Sequence, residues 1–402
     1  MTERSAEFIA ADERYGAHNY HPLPVVVASA EGAWVTDVDG KRYLDFLSAY
    51  SALNFGHRHP ALMAATLEQL ARVTLTSRAV HSDRFGEFAE KLAAACGLEM
   101  VLPMNTGAEA VETAIKTARK WGTDVKGVAP GAAKVVVCEH NFHGRTTTII
   151  SFSGDDSARA GFGPYTPGFV TVPFGDTAAL DATLADPDVV GFLFEPIQGE
   201  AGVLVPPAGY LTSVRELCDR HNVLMIADEI QTGFGRTGAT FACDREGVTP
   251  DIYCLGKALG GGILPLSAVV ARRDVLGVLT PGTHGSTFGG NPLACAIGIA
   301  VLDLVATGEY QERSRILGDH MHARLRDELA PGIVREVRGV GLWAGIEFEP
   351  TAGTARSYGE KLLERGVIAK DTHTYTLRLA PPLVIEKHDL DHAIDALIES
   401  TA

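Results

Sequence analysis

The 402-residue sequence contains no CxxC pair, no long apolar run, no internal repeat and no surplus of positive charge. Its six cysteines, Cys96, Cys138, Cys218, Cys243, Cys254 and Cys295, are scattered without regular spacing. That excludes a disulfide framework and predicts reduced, mostly buried thiols in a cytoplasmic protein. No run approaches the ~18 apolar residues of a membrane helix, so no membrane partner is expected. The start, MTERSAEFIAADERY, carries Glu3, Glu7, Asp12 and Glu13, which fits neither a signal peptide nor a transit peptide. A formal charge of -15 and a pI near 5.4 give a surface that repels polyanions and argue against nucleic acid as a partner. Small anionic ligands remain possible, because local cations can hold them.

A hydrophobic share of 46% supports sizeable cores, and the length predicts more than one domain. Short, nearly continuous apolar runs (KVVVCEH, VVGFLFEP, VLMIADE, PLSAVVAR) alternate with amphipathic segments. Strands apolar on both sides are buried on both faces, so residues 45–291 read as an α/β domain with a mostly parallel sheet flanked by helices. In such sheets ligands sit beyond the carboxyl ends of strands. After Asn291-Pro292 a long apolar helix, LACAIGIAVLDLVA, opens a smaller α+β unit over 292–402. It contains a helix around Leu317 to Leu329, strand-like VREVRGVGLWAGIEFE, a helix near Tyr358 to Gly366, a TLRLAPPL strand and a last helix from Lys387 to Ile398. Residues 1–44 include part of GAWVTDVDGKRYLDF, two short strands around Asp39-Gly40, and are expected to pack near the small domain.

Three local features bear on chemistry. PMNTGAEAVETAIKTARKW starts with turn residues and continues as a helix, and Thr106 with Glu109 has capping-box spacing. Gly107 permits close backbone approach, and the free N–H groups of a helix start suit a phosphate; an ordinary capped helix would look the same. VLMIADEIQTGFGRTG delivers Asp228 to the carboxyl end of a buried strand, where a carboxylate can pair with a protonated ring nitrogen or cap the following turn. Glu195 and Glu200 follow another apolar strand and, taken singly, read as a salt-bridged or solvated loop pair. DIYCLGKALGGG places Lys257 between an apolar strand and three glycines. A P-loop is excluded, since Asp251 stands where its first glycine belongs and Ala258 where its Ser or Thr belongs. Alone, Lys257 would be a surface cation. Combined with the other two features, it completes the parts of a pyridoxal 5′-phosphate site: Schiff-base lysine, phosphate-binding helix and ring-nitrogen acid.

The motifs MNTGAEA, NFHGRT, EPIQGEAG, ADEIQTGFGRTG, LGKALGGG, HGSTFGGNP and LRLAPPL occur in one order between residues 104 and 383. In this the chain resembles the class III aminotransferases of fold type I. YGAHNYHPLPV, FLSAYSALNFGHRHP, TLTSRA, LPMNTG and RLAPPLVI are similar to the ornithine 5-aminotransferase branch, from Tyr15 onward. The resemblance implies that Lys257 forms the Schiff base and moves the substrate proton, with Asp228 on the pyridine nitrogen. It further implies Gln231 at the phenolic oxygen, Phe142 stacked on the ring, Gly107 and Ala108 at the phosphate, and Ser286 and Thr287 reaching it from the partner of a homodimer, with higher assembly open. No catalytic role is attached to His143. Tyr20, Tyr50, Arg145, Glu200 and Arg378 match the residues that choose the substrate. Arg145 and Tyr20 would hold the distal carboxylate end of ornithine, while a Glu200–Arg378 ion pair closes in the first half-reaction and opens for 2-oxoglutarate in the second.

The implied reaction takes the δ-amino group of ornithine to 2-oxoglutarate, giving glutamate 5-semialdehyde, which cyclises to pyrroline-5-carboxylate, and glutamate. The rivals are another ω-aminotransferase, acting on N-acetylornithine, 4-aminobutyrate or diaminobutyrate, and an aminomutase. A metal protein built on His18, His21, His57 and His59 is disfavoured, because no carboxylate or thiolate cluster completes a site. No metal is expected.

Overall fold

The computed structural model describes residues 2–401. Its centre is a seven-stranded sheet of Met100–Met104, Ser267–Ala271, Ile252–Leu255, Leu224–Asp228, Val189–Phe194, Lys134–Cys138 and Phe169–Val172, in that spatial order. All neighbouring pairs are parallel except those of Ser267–Ala271, which runs antiparallel to both its neighbours. The central strands Val189–Phe194, Leu224–Asp228 and Ile252–Leu255 are buried along their whole length. This is why they read as unbroken apolar runs instead of alternating ones. Helix Gly107–Trp121 covers one face with Ala110, Val111, Ala114, Ile115 and Ala118 against Val135, Val137, Leu193 and Ile226. The other face packs into a larger core containing Phe192, Phe194, Val214, Met225 and Tyr253.

The carboxyl-terminal residues form a four-stranded antiparallel sheet of Val334–Gly339, Ala344–Phe348, Thr376–Leu379 and Lys370–His373. VREVRGVGLWAGIEFE is thus two strands, broken where Gly339 (φ +135°) and Gly341 (φ +59°) turn the chain. A side chain on Gly341 would meet the Arg236 carbonyl at 2.6 Å. The helix expected from Leu317 begins earlier and spans Glu309–Glu328. Its first turns are polar and give little apolar periodicity, so Gly308 (φ +75°) marks its start. A third sheet joins Val27–Glu31, Trp34–Asp37 and Arg42–Asp45 to the short strand Val367–Ile368, parallel to the last of these.

All six cysteines are free and buried. Among the described residues no single helix is long and apolar enough to cross a membrane.

Candidate active site

Strand Ile252–Leu255 ends at Gly256, and Lys257 opens a short 3-10 turn with φ +46°. A non-glycine residue there carries backbone strain that its surroundings must impose. They do so with Ala258 and Leu259 buried behind it and with the bonds Leu259 N to Gly256 O (3.0 Å) and Gly261 N to Ala258 O (2.9 Å). The lysine side chain enters a cavity of about 150 Å³ that Gly107, Ala108, Phe142, Glu195, Asp228 and Gln231 also line. Burial pushes its amine pKa down, and Arg378 adds to this, while Glu200, Asp228 and Glu195 oppose it. The result is an amine more available as a nucleophile or base than a solvated lysine.

Asp228 sits at the carboxyl end of its strand, buried. One oxygen accepts from Ile230 N at 3.1 Å, and the other lies 2.6 Å from His143 Nδ1. His143, left without a role by the sequence, is buried and is therefore the partner that orients this acid. Burial opposes charging of the imidazole, but Asp228 outweighs it and raises the His143 pKa. Its Nε2 has no partner in the protein. The only signal in the sequence was its place beside Phe142.

Of the two acids read as a salt-bridged or solvated loop pair, Glu200 is salt-bridged, but Glu195 is neither salt-bridged nor solvated, which corrects that reading. It is buried, accepting from Phe142 N (2.8 Å) and Gly199 N (3.3 Å), and burial raises its pKa to about 7, with Asp228 adding and His143 opposing.

At the start of helix Gly107–Trp121 the capping box is complete. Glu109 accepts from Asn105 N (2.7 Å) and Thr106 N (3.0 Å), and the Thr106 hydroxyl accepts from Glu109 N (3.2 Å). With these donors occupied, the N–H groups of Gly107 and Ala108 are left facing the cavity side of the helix start without a protein acceptor. Gly144 (φ +125°) closes against this turn, since a side chain there would meet Ala108 Cβ at 3.0 Å. Ser286 accepts from Asn105 Nδ2 (2.9 Å) within the same chain, Thr287 is exposed, and neither lines the cavity.

A second cavity of about 320 Å³ shares Phe142 and Gly144 with the first and adds Arg145, Glu200, Thr372 and His373. Arg378, 3% exposed, donates to Glu200 Oε1 at 2.7 Å and lies 5.2 Å over the Tyr50 ring. Burial opposes ionisation of Glu200, yet Arg378 and Lys257 beside it hold its pKa below the ordinary value. Tyr50 itself has φ +60°, and its carbonyl receives a long bond from Gln231 Nε2 (3.4 Å). Tyr20 is 70% exposed and lines neither cavity. The histidines weighed as metal ligands have other company: His57 pairs with Asp45 (2.8 Å) and His59 with the Tyr310 hydroxyl (3.0 Å).

A buried amine, a buried acid held by an imidazole, an open helix start and an Arg–Glu pair thus share one cleft at the carboxyl ends of the parallel strands. Comparison with known proteins agrees: the model of the class-III aminotransferase family matches residues 15–400. The chain belongs to the class-III aminotransferases. A protein of Brevibacillus brevis named ornithine aminotransferase is 54% identical over 389 residues, 97% of this chain and 96% of its own. The crystal structure of ornithine aminotransferase from Toxoplasma gondii superposes with a TM-score of 0.97 at 44% identity, covering 100% of this chain and 95% of that one. That of acetylornithine aminotransferase from Elizabethkingia anophelis gives 0.90 at 49% identity, covering 100% and 99%. The fold type I class III architecture read from the sequence is therefore the fold of the chain.

Proposed function

We propose that this aminotransferase moves the δ-amino group of L-ornithine to 2-oxoglutarate, using pyridoxal 5′-phosphate. The observation that carries the reading is the convergence of the strained, buried Lys257 with Asp228 and the free N–H groups of Gly107 and Ala108 on one cavity.

The residues fit that cofactor. Gly107 and Ala108 offer two unpartnered N–H groups at a helix start to a phosphate, and Ser286 and Thr287 of a partner subunit would add hydroxyls. Asp228, held in place by His143, suits a protonated ring nitrogen; Gln231 suits a phenolic oxygen, and Phe142 offers a flat apolar face. The tight packing of Gly144 on Ala108 leaves this cradle open. When bound, the cofactor supplies an aldehyde that takes the amine covalently and a ring that withdraws electrons from the carbon losing a proton.

The chain's own groups do the rest. Lys257, with its depressed pKa, would bind the cofactor's aldehyde and would take up and return the proton of the δ-carbon of ornithine. Arg145, with Tyr20, orients the carboxylate end of ornithine. In the first half-reaction Glu200 neutralises Arg378, so no free guanidinium draws the α-carboxylate toward the reacting centre. In the second, Glu200 swings away and Arg378 takes the carboxylate next to the keto group of 2-oxoglutarate. Across the cycle the δ-carbon of ornithine is oxidised to an aldehyde and the keto carbon of 2-oxoglutarate is reduced to an amine-bearing one.

The division of labour follows the chain: 45–291 carries Lys257, Asp228 and the helix start, 292–402 carries Arg378, and 1–44 carries Tyr20. We infer a homodimer in which Ser286 and Thr287 serve the partner's site, supported by the neighbouring Phe288, an aromatic 56% exposed in the single chain. Six free thiols favour a reducing cytoplasm. The deciding experiment supplies purified protein with ornithine and 2-oxoglutarate and scores pyrroline-5-carboxylate and glutamate. Absence of both sinks the assignment while leaving the family intact. The 49% identity to a protein named acetylornithine aminotransferase makes N-acetylornithine the second donor to test, by competing the two amines in one assay.

A further inference from the structure

We propose that Glu195 is a positioning residue, whose single carboxylate ties the loop presenting Phe142 to the root of the loop presenting Glu200, so that the Glu200 side chain can leave Arg378 without disturbing the cofactor face. This rests on the reading of Phe142 and Glu200 given above.

Glu195 follows strand Val189–Phe194. One oxygen accepts from Phe142 N at 2.8 Å and the other from Gly199 N at 3.3 Å. No lysine or arginine bonds it, so a carboxylate is buried here at a solvation cost. A carboxyl group has acceptor lone pairs on both oxygens, so one side chain serves both N–H groups at once.

Gly199 is where the two halves of the cleft meet. A Cβ at this position would lie 2.0 Å from Gln231 Oε1 and 2.7 Å from Trp343 Cζ2, so the backbone is wedged between them. Its carbonyl accepts from Arg378 Nη1 at 3.3 Å, the nitrogen that also donates to Glu200 Oε1 at 2.7 Å. The next carbonyl, of Glu200, accepts from the Thr372 hydroxyl at 2.6 Å. Arg378 and Thr372 both come from the carboxyl-terminal sheet. Glu195, by contrast, directly follows a strand of the central sheet. When Arg378 turns to a substrate carboxylate, Gly199 loses its carbonyl partner and keeps the Glu195 bond. The gate then moves as a side chain on a fixed root.

The test compares holoenzyme of wild type, Glu195→Gln and Glu200→Gln by hydrogen exchange with mass spectrometry, and by the ratio of α- to δ-amine reaction on ornithine. Glutamine has one acceptor oxygen, which stays with the shorter Phe142 bond and turns its NH2 toward Gly199 N. Exchange in the segment 197–203 should then rise roughly tenfold or more, the usual effect of stranding one buried donor, while 139–145 changes little. The α-to-δ ratio should rise with it. Glu200→Gln should raise that ratio but leave exchange in 197–203 at the wild-type level. Wild-type exchange in Glu195→Gln, or equal deprotection of 197–203 in Glu200→Gln, overturns the proposal. Should Glu195→Gln not fold, Glu195→Asp, whose shorter side chain keeps the charge but cannot reach both N–H groups, takes its place and should deprotect 197–203 or 139–145; wild-type exchange in both segments overturns the proposal. Failure of the wild type to turn over ornithine would instead strike the functional reading, and the exchange data would still report on the tie.

Discussion

Replacing His143 by phenylalanine tests how the acid of the site is held. The imidazole Nδ1 lies 2.6 Å from Asp228 Oδ2, both groups are buried, and the only other bond to the carboxylate is Ile230 N at 3.1 Å. Phenylalanine keeps the ring volume and removes the donor, stranding one member of a buried ion pair. Hydrogen bonds to charged groups contribute ~1.5–3 kcal/mol and breaking a buried pair costs ~3–5 kcal/mol, so a loss of about 3 kcal/mol is expected. The His143 pKa is raised, because Asp228 outweighs burial. A raised histidine stabilises the fold fully below its unfolded pKa of about 6.5, and that contribution is lost as pH rises through the folded value. The gap between wild type and variant should therefore be largest below about pH 6.5 and shrink as pH rises above it. Urea unfolding of cofactor-stripped protein reads it without the stability that ligand binding would add. His143→Asn, whose amide can donate where Nδ1 did, should restore part of the loss with little pH dependence. A gap that stays flat or widens with rising pH would refute the charged His143–Asp228 pair.

Lys257→Ala should abolish turnover and the borohydride-trappable link to the cofactor; a covalent adduct retained in the mass spectrum would refute the role of that amine. Glu200→Gln leaves the Arg378 charge uncompensated, so the α-amine of ornithine should gain on the δ-amine by roughly tenfold or more, the equivalent of ~1.4 kcal/mol or more, read from the keto-acid product of the α-amine against the aldehyde product of the δ-amine. Arg236 is fully buried without a salt bridge and donates to Leu342 O (2.8 Å), Pro381 O (2.6 Å) and Asn54 Oδ1 (2.7 Å). Arg236→Met strands all three acceptors and should cost about 3–5 kcal/mol in urea unfolding; a neutral result would mean that relief from burying the charge offsets them.

The sequence made the central sheet legible because its strands are buried on both faces, and it made helix Gly107–Trp121 legible because Thr106 and Glu109 form both bonds of their box. Elements whose exposure is mixed were harder to bound. The turn at Gly339 to Gly341 lies within one apolar-rich stretch, and the first turns of Glu309–Glu328 are polar apart from the buried Tyr310. Within the site, Lys257, Asp228 and Gly107 announce themselves by their place at strand ends and a helix start. His143 and Glu195 do not, because their importance lies in what they touch across 85 and 53 residues of chain. Local pattern carries no trace of such pairings.

The three glycines after Lys257 show how a local pattern can carry a requirement that only packing explains. Glycine there avoids no clash with the cofactor cavity, which none of the three lines. Gly261 and Gly262 adopt φ +62° and +69°, and side chains on them would meet Leu62 Cδ1 at 2.9 Å and Leu53 Cδ2 at 2.3 Å. Leu53 follows the left-handed stretch Ser48–Ser51, which contains Tyr50. The turn behind Lys257 is thereby pressed against the segment presenting Tyr50 to Arg378. Lys257 is held at φ +46° in the middle of this arrangement, a conformation that costs an L-residue roughly 1–2 kcal/mol. The strain persists because Leu259 and Ala258 are locked in the core on one side while the glycine turn is closed on the other. One short stretch of backbone thus fixes Lys257 and supports the aromatic beneath Arg378, which couples the two roles proposed for these residues through packing alone.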